Sequence, residues 1–428
     1  MSIVEYFLKN FREKSRKRNA VNVSSGSSAL AVAACGSGSS GGLGTTDGKG
    51  FPSSYQEPSA DYVVPSDKDP NFEILKQVYS APYWVASLEM DSWDSHIEPM
   101  LEDFGRVIYY AFPETQPAYD TFDITGWEPA TEEIKTATRE ILSKLEAILN
   151  VSFMESNDSE GTNIISVSTS SQAKTAGYSY FPNNFFEIGM DVFIAEDYAR
   201  PTFLTEANTN YDYEVLLHEI GHALGLKHPF EASGANNIEL STYEDNTHNT
   251  AMSYTEDQAT FNGTFRHLDW MTLAKFYGVK SSYNDADDIY NFSSLGGTFI
   301  LDGAGLDTIS ADATSHDVTI DLRPGSHSHL GGKSTYITAP NQLTISHGSD
   351  IENVVTGSGN DTVIGTNLDN IIMTGNGSDT IFAGDGADII KSGTGKDQID
   401  LSEAIQSRDT VTLDAPSTDS GIDIIYGF

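Results

Sequence analysis

Apolar residues recur at Ile134, Ala137, Ile141, Leu145 and Ile148. Steps of three and four residues put them on one face of a helix over residues 131–149, and Asn150 is a plausible stop. Short apolar runs without that step, at 107–112, 164–168 and 189–194, predict strands. Residues 212–224 predict a second helix closed by Gly225, and 267–277 a third closed by Gly278. This mixture of helices and strands fills roughly residues 71–285. From Asp288 to the end the helical step is lost, and Val/Ile/Leu/Thr runs alternate with Gly-Asp turns. Before residue 71 the chain is rich in Ser, Gly, Asp and Pro, a composition that cannot bury enough apolar surface to pack. Three segments are therefore expected: a leader at 1–70, an α+β domain at 71–285 and an all-β repeat domain at 286–428.

Charge changes this picture. With 24 Lys+Arg against 62 Asp+Glu the formal net charge is −38. Such a surface repels nucleic acid and anionic membranes, and invites divalent cations where the carboxylates cluster. Cys35 is the only cysteine, so no intrachain disulfide can form. No apolar run approaches the roughly 18–20 residues of a membrane-spanning helix. The first 20 residues are basic, and a short apolar stretch follows, ending in Val32-Ala33-Ala34-Cys35. That outline resembles an export signal, and the tetrapeptide a lipoprotein box in which Cys35 would carry a lipid anchor.

Residues 218–229 read HEIGHALGLKHP. On a helix His218 and His222 are four residues apart, so both imidazoles leave one face and can reach one Zn²⁺. Leu216, Ile220, Ala223 and Leu224 fall opposite and anchor the helix in a core. Gly225 permits a left-handed turn that brings His228 back as a third ligand, and Pro229 stops the helix from resuming. Three neutral imidazoles leave one tetrahedral position for water, which marks a catalytic site. Glu219 lies about 100° further round the helix than His218. It is placed to act as the base toward that water, which zinc acidifies, and then to protonate the leaving amine.

With these residues in view, the chain resembles the metzincin metallopeptidases, and among them the serralysin family. Thr250-Ala-Met-Ser-Tyr254 resembles the family's Met-turn. The resemblance places Met252 beneath the metal-binding histidines and makes Tyr254 a switchable zinc ligand that stabilises the oxyanion. Residues 176–182 and 189–193 resemble the family's strands before the zinc helix, and 268–278 its closing helix. One of these strands is expected to offer an exposed edge for an extended peptide. The other seven histidines, at 96, 248, 267, 316, 327, 329 and 347, sit in no ligand spacing.

Asp361, Asn370, Asp379, Asp388 and Asp397 stand nine residues apart, each followed two positions on by an aliphatic residue. This is similar to the nonapeptide calcium repeat of RTX proteins, which winds a parallel β-roll. The resemblance assigns Ca²⁺ ligation to Gly357, Gly359 and Asp361; to Gly375, Gly377 and Asp379; to Gly384, Gly386 and Asp388; and to Gly393, Gly395 and Asp397. The second copy has Thr366, Leu368 and Asn370 at these positions, which puts its site in doubt. Gly303, Gly305 and Asp307 form an isolated earlier copy. Residues 320–325 and 346–353 also resemble the serralysin C-terminal domain.

The expected fold is thus an α+β metzincin catalytic domain followed by a parallel β-roll. The expected function is a secreted, calcium-stabilised zinc endopeptidase acting on extracellular proteins and exported by bacterial secretion machinery. The rival expectation is a calcium-dependent surface adhesin, held by its lipid anchor or otherwise, whose protease-like domain is silent. An intact set of His218, Glu219, His222, His228 and Tyr254 discriminates between the two.

Overall fold

The computed structural model describes residues 82–427, apart from 92, 119–123, 173–174, 184–187, 200–210, 235, 256–262, 405–406 and 414–421, together with one strand at Val32–Gly36. The rest of the leader lies outside the described residues. Among the described residues no helix is long and apolar enough to cross a membrane.

The first domain is a twisted sheet with helices against it. Its strands are β1 (Val32–Gly36), β2 (Val107–Ala111), β3 (Glu128–Pro129), β4 (Ser152–Glu155), β5 (Ile164–Ser170), β6 (Thr175–Tyr180) and β7 (Val192–Ala195). They lie in the order β1-β6-β7-β5-β2-β4, with β3 paired to β5. β2, β4, β5 and β7 run parallel, whereas β6 runs antiparallel to β7. β5 is buried at every position, as a central parallel strand covered on both faces must be. The strand expected at 189–194 starts later. Met190 adopts φ +74 in the turn that joins β6 to β7, and its N–H donates to the Tyr180 carbonyl at 3.1 Å.

The helix Glu132–Ile148 starts where Thr131 accepts a hydrogen bond from Ile134 N–H at 3.3 Å, a cap of about 1 kcal/mol. It buries Ile134, Ala137, Ile141 and Leu145, the stripe that the periodicity predicts. Two further helices, Tyr211–Ala223 and His267–Tyr277, complete the core.

The second domain is a roll of short parallel strands in two facing sheets. One holds 289–291, 308–310, 353–355, 371–373, 389–393 and 410–413; the other includes 318–321, 362–364, 380–382, 398–400 and 424–426. Side chains alternate along a strand, so the middle residue of each three-residue strand points in. Ile372 and Ile390 stack in register on one side, and Val363, Ile381 and Ile399 on the other, all at 0% exposure.

A loop of the roll is built into the first domain. Ile337 belongs to the first domain's core. Glu244 is buried beside it and accepts from the Tyr83 hydroxyl at 2.8 Å and the Thr338 hydroxyl at 2.9 Å. Glu244 sits on the same loop that leads to Met252 and Tyr254, so the roll's docking bears on the chain that completes the site.

Candidate active site

The helix Tyr211–Ala223 is buried from Tyr213 onward. Past its end, Leu226 N–H donates to the Gly221 carbonyl at 3.0 Å and Gly225 takes φ +100. That closure turns the chain back and carries His228 up to the two helical histidines. Nε2 of His228 lies 3.1 Å from Nε2 of His218 and 3.1 Å from Nε2 of His222. Three nitrogens on a tetrahedral zinc at about 2.0–2.1 Å stand roughly 3.3 Å apart, so the triangle fits one such ion.

The opposite ring nitrogens are all anchored. Nδ1 of His218 donates to the Ala251 carbonyl at 2.8 Å and Nδ1 of His222 to the Leu226 carbonyl at 2.6 Å. Nδ1 of His228 donates to Oε2 of Glu231 at 3.1 Å. Carbonyl and carboxylate oxygens only accept, so each Nδ1 carries a proton, and in a neutral ring Nε2 then presents a lone pair to the shared point. Burial lowers the pKa of His218 to about 3 and holds that of His222 well below the ordinary imidazole range, so both rings are neutral. Metal ligation requires that state.

The remaining parts gather round the triangle. The Tyr254 hydroxyl lies 2.9 Å from Nε2 of His228, and the Tyr254 ring is 41% exposed. Met252 is fully buried under the helix; a Cβ at Gly221 would stand 2.7 Å from its sulfur. Glu219 is at 0% exposure beside β6, where a Cβ at Gly177 would stand 2.8 Å from its Cγ. Beyond His228, the buried Lys227 ammonium donates to the carbonyls of Glu231 at 2.7 Å and Ile238 at 2.8 Å, pinning the loop that follows. Burial lowers the pKa of Lys227 to about 8.

Sequence reasoning missed three supports. Asp269 accepts from the Thr250 hydroxyl at 2.5 Å, Ala251 N–H at 2.7 Å and Arg266 N–H at 2.8 Å. It therefore fixes the carbonyl that orients His218. Burial raises its pKa to about 6. Its signal was its place in the first turn of a predicted helix, where a carboxylate caps the chain before it. Glu231 lies three residues after His228, close enough in sequence to have been proposed. Gly177 gave no local signal, since its role is to leave room for a side chain on another element. The expected exposed edge is not met at β6, whose outer side is paired with β1. Among the described residues, no other histidine joins a group of three that could hold a metal ion.

The family model for the serralysin C terminus of peptidase M10 matches residues 276–425, and that for reprolysin-like metallopeptidases of family M12B matches 193–266. A serralysin of Proteus mirabilis is 28% identical over 307 residues, covering 62% of this chain and 60% of the relative. A serralysin of Photorhabdus sp. (strain Az29) is 26% identical over 343 residues, covering 72% and 66%. By these matches the chain is similar to serralysin-type metallopeptidases. It spans less than two thirds of the length of either relative.

The repeat turns of the second domain form two stacked ladders. Asp361 N–H donates to Oδ1 of Asp379 at 2.8 Å, and Asp379 N–H to Oδ1 of Asp397 at 3.0 Å. On the other edge Asn370 N–H donates to Oδ1 of Asp388 at 2.8 Å. Gly375 and Gly377 lie so close over the carbonyls of Gly357 and Gly359 that no side chain could be added. The same holds for Gly393 and Gly395 over Gly375 and Gly377, and for Gly384 and Gly386 over Thr366 and Leu368. Oδ2 of Asp307, Asp379 and Asp388 is buried without a hydrogen-bond partner. A buried carboxylate oxygen with no donor is costly unless a cation faces it, and hard oxygen donors suit Ca²⁺. Copy two differs. Oδ1 of Asn370 accepts from Thr366 N–H at 2.8 Å and its Nδ2 donates to the Glu352 carbonyl at 2.9 Å, so the amide satisfies itself within the protein.

Proposed function

We propose that the chain is a zinc endopeptidase that cleaves extended segments of extracellular proteins, with calcium holding its C-terminal roll. The convergence of three imidazole nitrogens, with Nε2 of His228 3.1 Å from Nε2 of both His218 and His222, beside a buried glutamate and a tyrosine hydroxyl, supports this reading. A zinc ion held by His218, His222 and His228 would supply Lewis acidity toward the scissile carbonyl and the attacking water. Glu219 accepts the proton of that water and returns it to the leaving amine. Tyr254 swings on its partly exposed ring and donates its hydroxyl proton to the developing oxyanion. Asp269 and Glu231 do not touch substrate; they hold Ala251 and His228 in place. An extended substrate would pair along β6 in place of β1.

Location outside the cell and export by bacterial secretion machinery belong to the same proposal, supported by the serralysin resemblance. A silent adhesin would need none of the five site residues, and the presence of all five in the sequence favours the enzyme.

Casein digestion by the wild type and by Glu219→Ala, with zinc measured in both, tests the reading. Loss of digestion with zinc retained is expected. Equal digestion, or zinc-loaded wild type that digests nothing, overturns it.

A further inference from the structure

Three rings close on one another beside the ligand triangle. Phe230 lies face to face on His228, with ring centroids 5.0 Å apart and an interplanar angle of 7°. The same phenyl ring stands 4.9 Å from the Tyr254 ring at 54°. Tyr254 and His228 are 4.7 Å apart at 61°. Phe230 thus touches both the third metal-binding imidazole and the tyrosine whose hydroxyl has to reach the substrate.

The place of Phe230 is set by its backbone neighbours. The Lys227 ammonium donates to the Glu231 carbonyl at 2.7 Å, and Leu240 N–H donates to the Pro229 carbonyl at 2.8 Å. Residues on both sides of Phe230 are therefore fixed by groups that its own side chain does not supply. The ring is presented to the site and is only half-buried. Glu231, the next residue, holds Nδ1 of His228 from the edge, while Phe230 covers the face of the same imidazole. Tyr254 leans on this assembly. Its hydroxyl is 2.9 Å from Nε2 of His228, its ring is 5.7 Å from that of His218, and it remains 41% exposed.

We propose that Phe230 is a positioning residue that holds the Tyr254 ring beside the ligand histidines and so sets how readily Tyr254 gives way to substrate. Turning Tyr254 outward breaks its contact with Phe230. A ligand that binds only the outward arrangement has its affinity reduced by the fraction of molecules in that arrangement. One aromatic pair shifts such an equilibrium by about 2- to 10-fold. Phe230 therefore weakens whatever displaces Tyr254 by that factor. The proposal rests on Tyr254 being a displaceable metal ligand, and its test separates the two.

The test uses the full-length, zinc-loaded protein in calcium, with acetohydroxamate as the probe. Acetohydroxamate chelates zinc and carries no side chain, so its affinity reports the displacement of Tyr254 and not the filling of a side-chain pocket. Calorimetric titration compares the wild type with Phe230→Ala, Phe230→Tyr, Tyr254→Ala and the variant carrying both alanines. Phe230→Ala is expected to bind about 2- to 10-fold more tightly than the wild type, the worth of one aromatic pair. Phe230→Tyr keeps the ring and should match the wild type. Tyr254→Ala should bind more tightly than the wild type, and adding Phe230→Ala to it should change nothing further. The second readout is the phenolate-to-Cu²⁺ charge-transfer absorption of the Cu²⁺-substituted protein: present in the wild type, weaker in Phe230→Ala and absent in Tyr254→Ala. Zinc content and a cooperative melt check each variant. Phe230→Leu, which keeps apolar cover on His228, serves in the same titration if Phe230→Ala loses zinc. Unchanged affinity and absorption in folded Phe230→Ala, with Tyr254→Ala still tighter than the wild type, overturns the role of Phe230 alone. A Phe230→Ala effect that persists in the Tyr254→Ala background assigns the ring to the probe or to His228 and overturns it too. A Tyr254→Ala protein that binds acetohydroxamate as the wild type does, with no charge-transfer absorption in the wild type, overturns the displaceable-ligand reading, and this proposal with it.

Discussion

Gly177 on β6 faces Glu219 so closely that a methyl group at 177 would lie 2.8 Å from the Glu219 Cγ and 2.9 Å from its Oε1. The glycine leaves the room in which the proposed base takes its position. Gly177→Ala is therefore expected to push Glu219 out of line and lower kcat by about 100-fold, the order of loss that a displacement near 1 Å brings. Zinc content should stay at the wild-type value. Steady-state kinetics with metal analysis checks this, and wild-type kcat in the variant contradicts it.

Tyr254 is expected to act mainly on the transition state. Tyr254→Phe keeps the ring packing and removes the hydroxyl that lies 2.9 Å from Nε2 of His228. A fall in kcat of about 100-fold with little change in KM is expected, as for loss of one oxyanion donor. An equal rise in KM with kcat preserved would assign the hydroxyl to substrate binding instead.

Glu231 is the one charged group among the three partners of the ligand histidines; the other two are backbone carbonyls. Glu231→Gln can still accept from Nδ1 of His228 but no longer favours that proton by charge. Zinc affinity is expected to fall by about 10-fold, the lower end for loss of such a support. Competition with a chromophoric chelator measures it. An unchanged affinity would show that the Coulombic contribution is negligible.

The local parts of the architecture were legible in the sequence, and the long-range parts were not. The helix from Glu132 to Ile148 and its cap follow from spacing and from Thr131 alone, because both are determined within a few residues. The zinc triangle was legible for the same reason: helix, glycine turn and third histidine fall within eleven positions. Met252 and Tyr254 were placed only by resemblance, since nothing local distinguishes them from core residues. Asp269, Gly177 and Glu244 act through contacts across 18 or more residues, and one sequence carries no record of which partner lies opposite. The strand start at 192 in place of 189 has a comparable cause. The turn before it needs Met190 in a left-handed conformation, which the β-favouring composition of the stretch hides.

Chelation of calcium should unfold the roll, because the inward aliphatic column is one residue wide per strand and the uncompensated carboxylates repel. Loss of β-structure on chelation, restored by calcium, is expected by circular dichroism. Activity should fall in parallel, since the Glu244–Thr338 contact ties the roll to the loop that bears Tyr254. A chelator-resistant β signal would show that the buried Asp379 and Asp388 oxygens need no ion.

The central claim is tested most directly by counting zinc in the purified, calcium-loaded protein and in His222→Ala. One zinc per wild-type chain, lost in the variant while its fold persists, is the predicted result. A wild type that holds no zinc and takes up none, or a His222→Ala protein that retains it, contradicts the account.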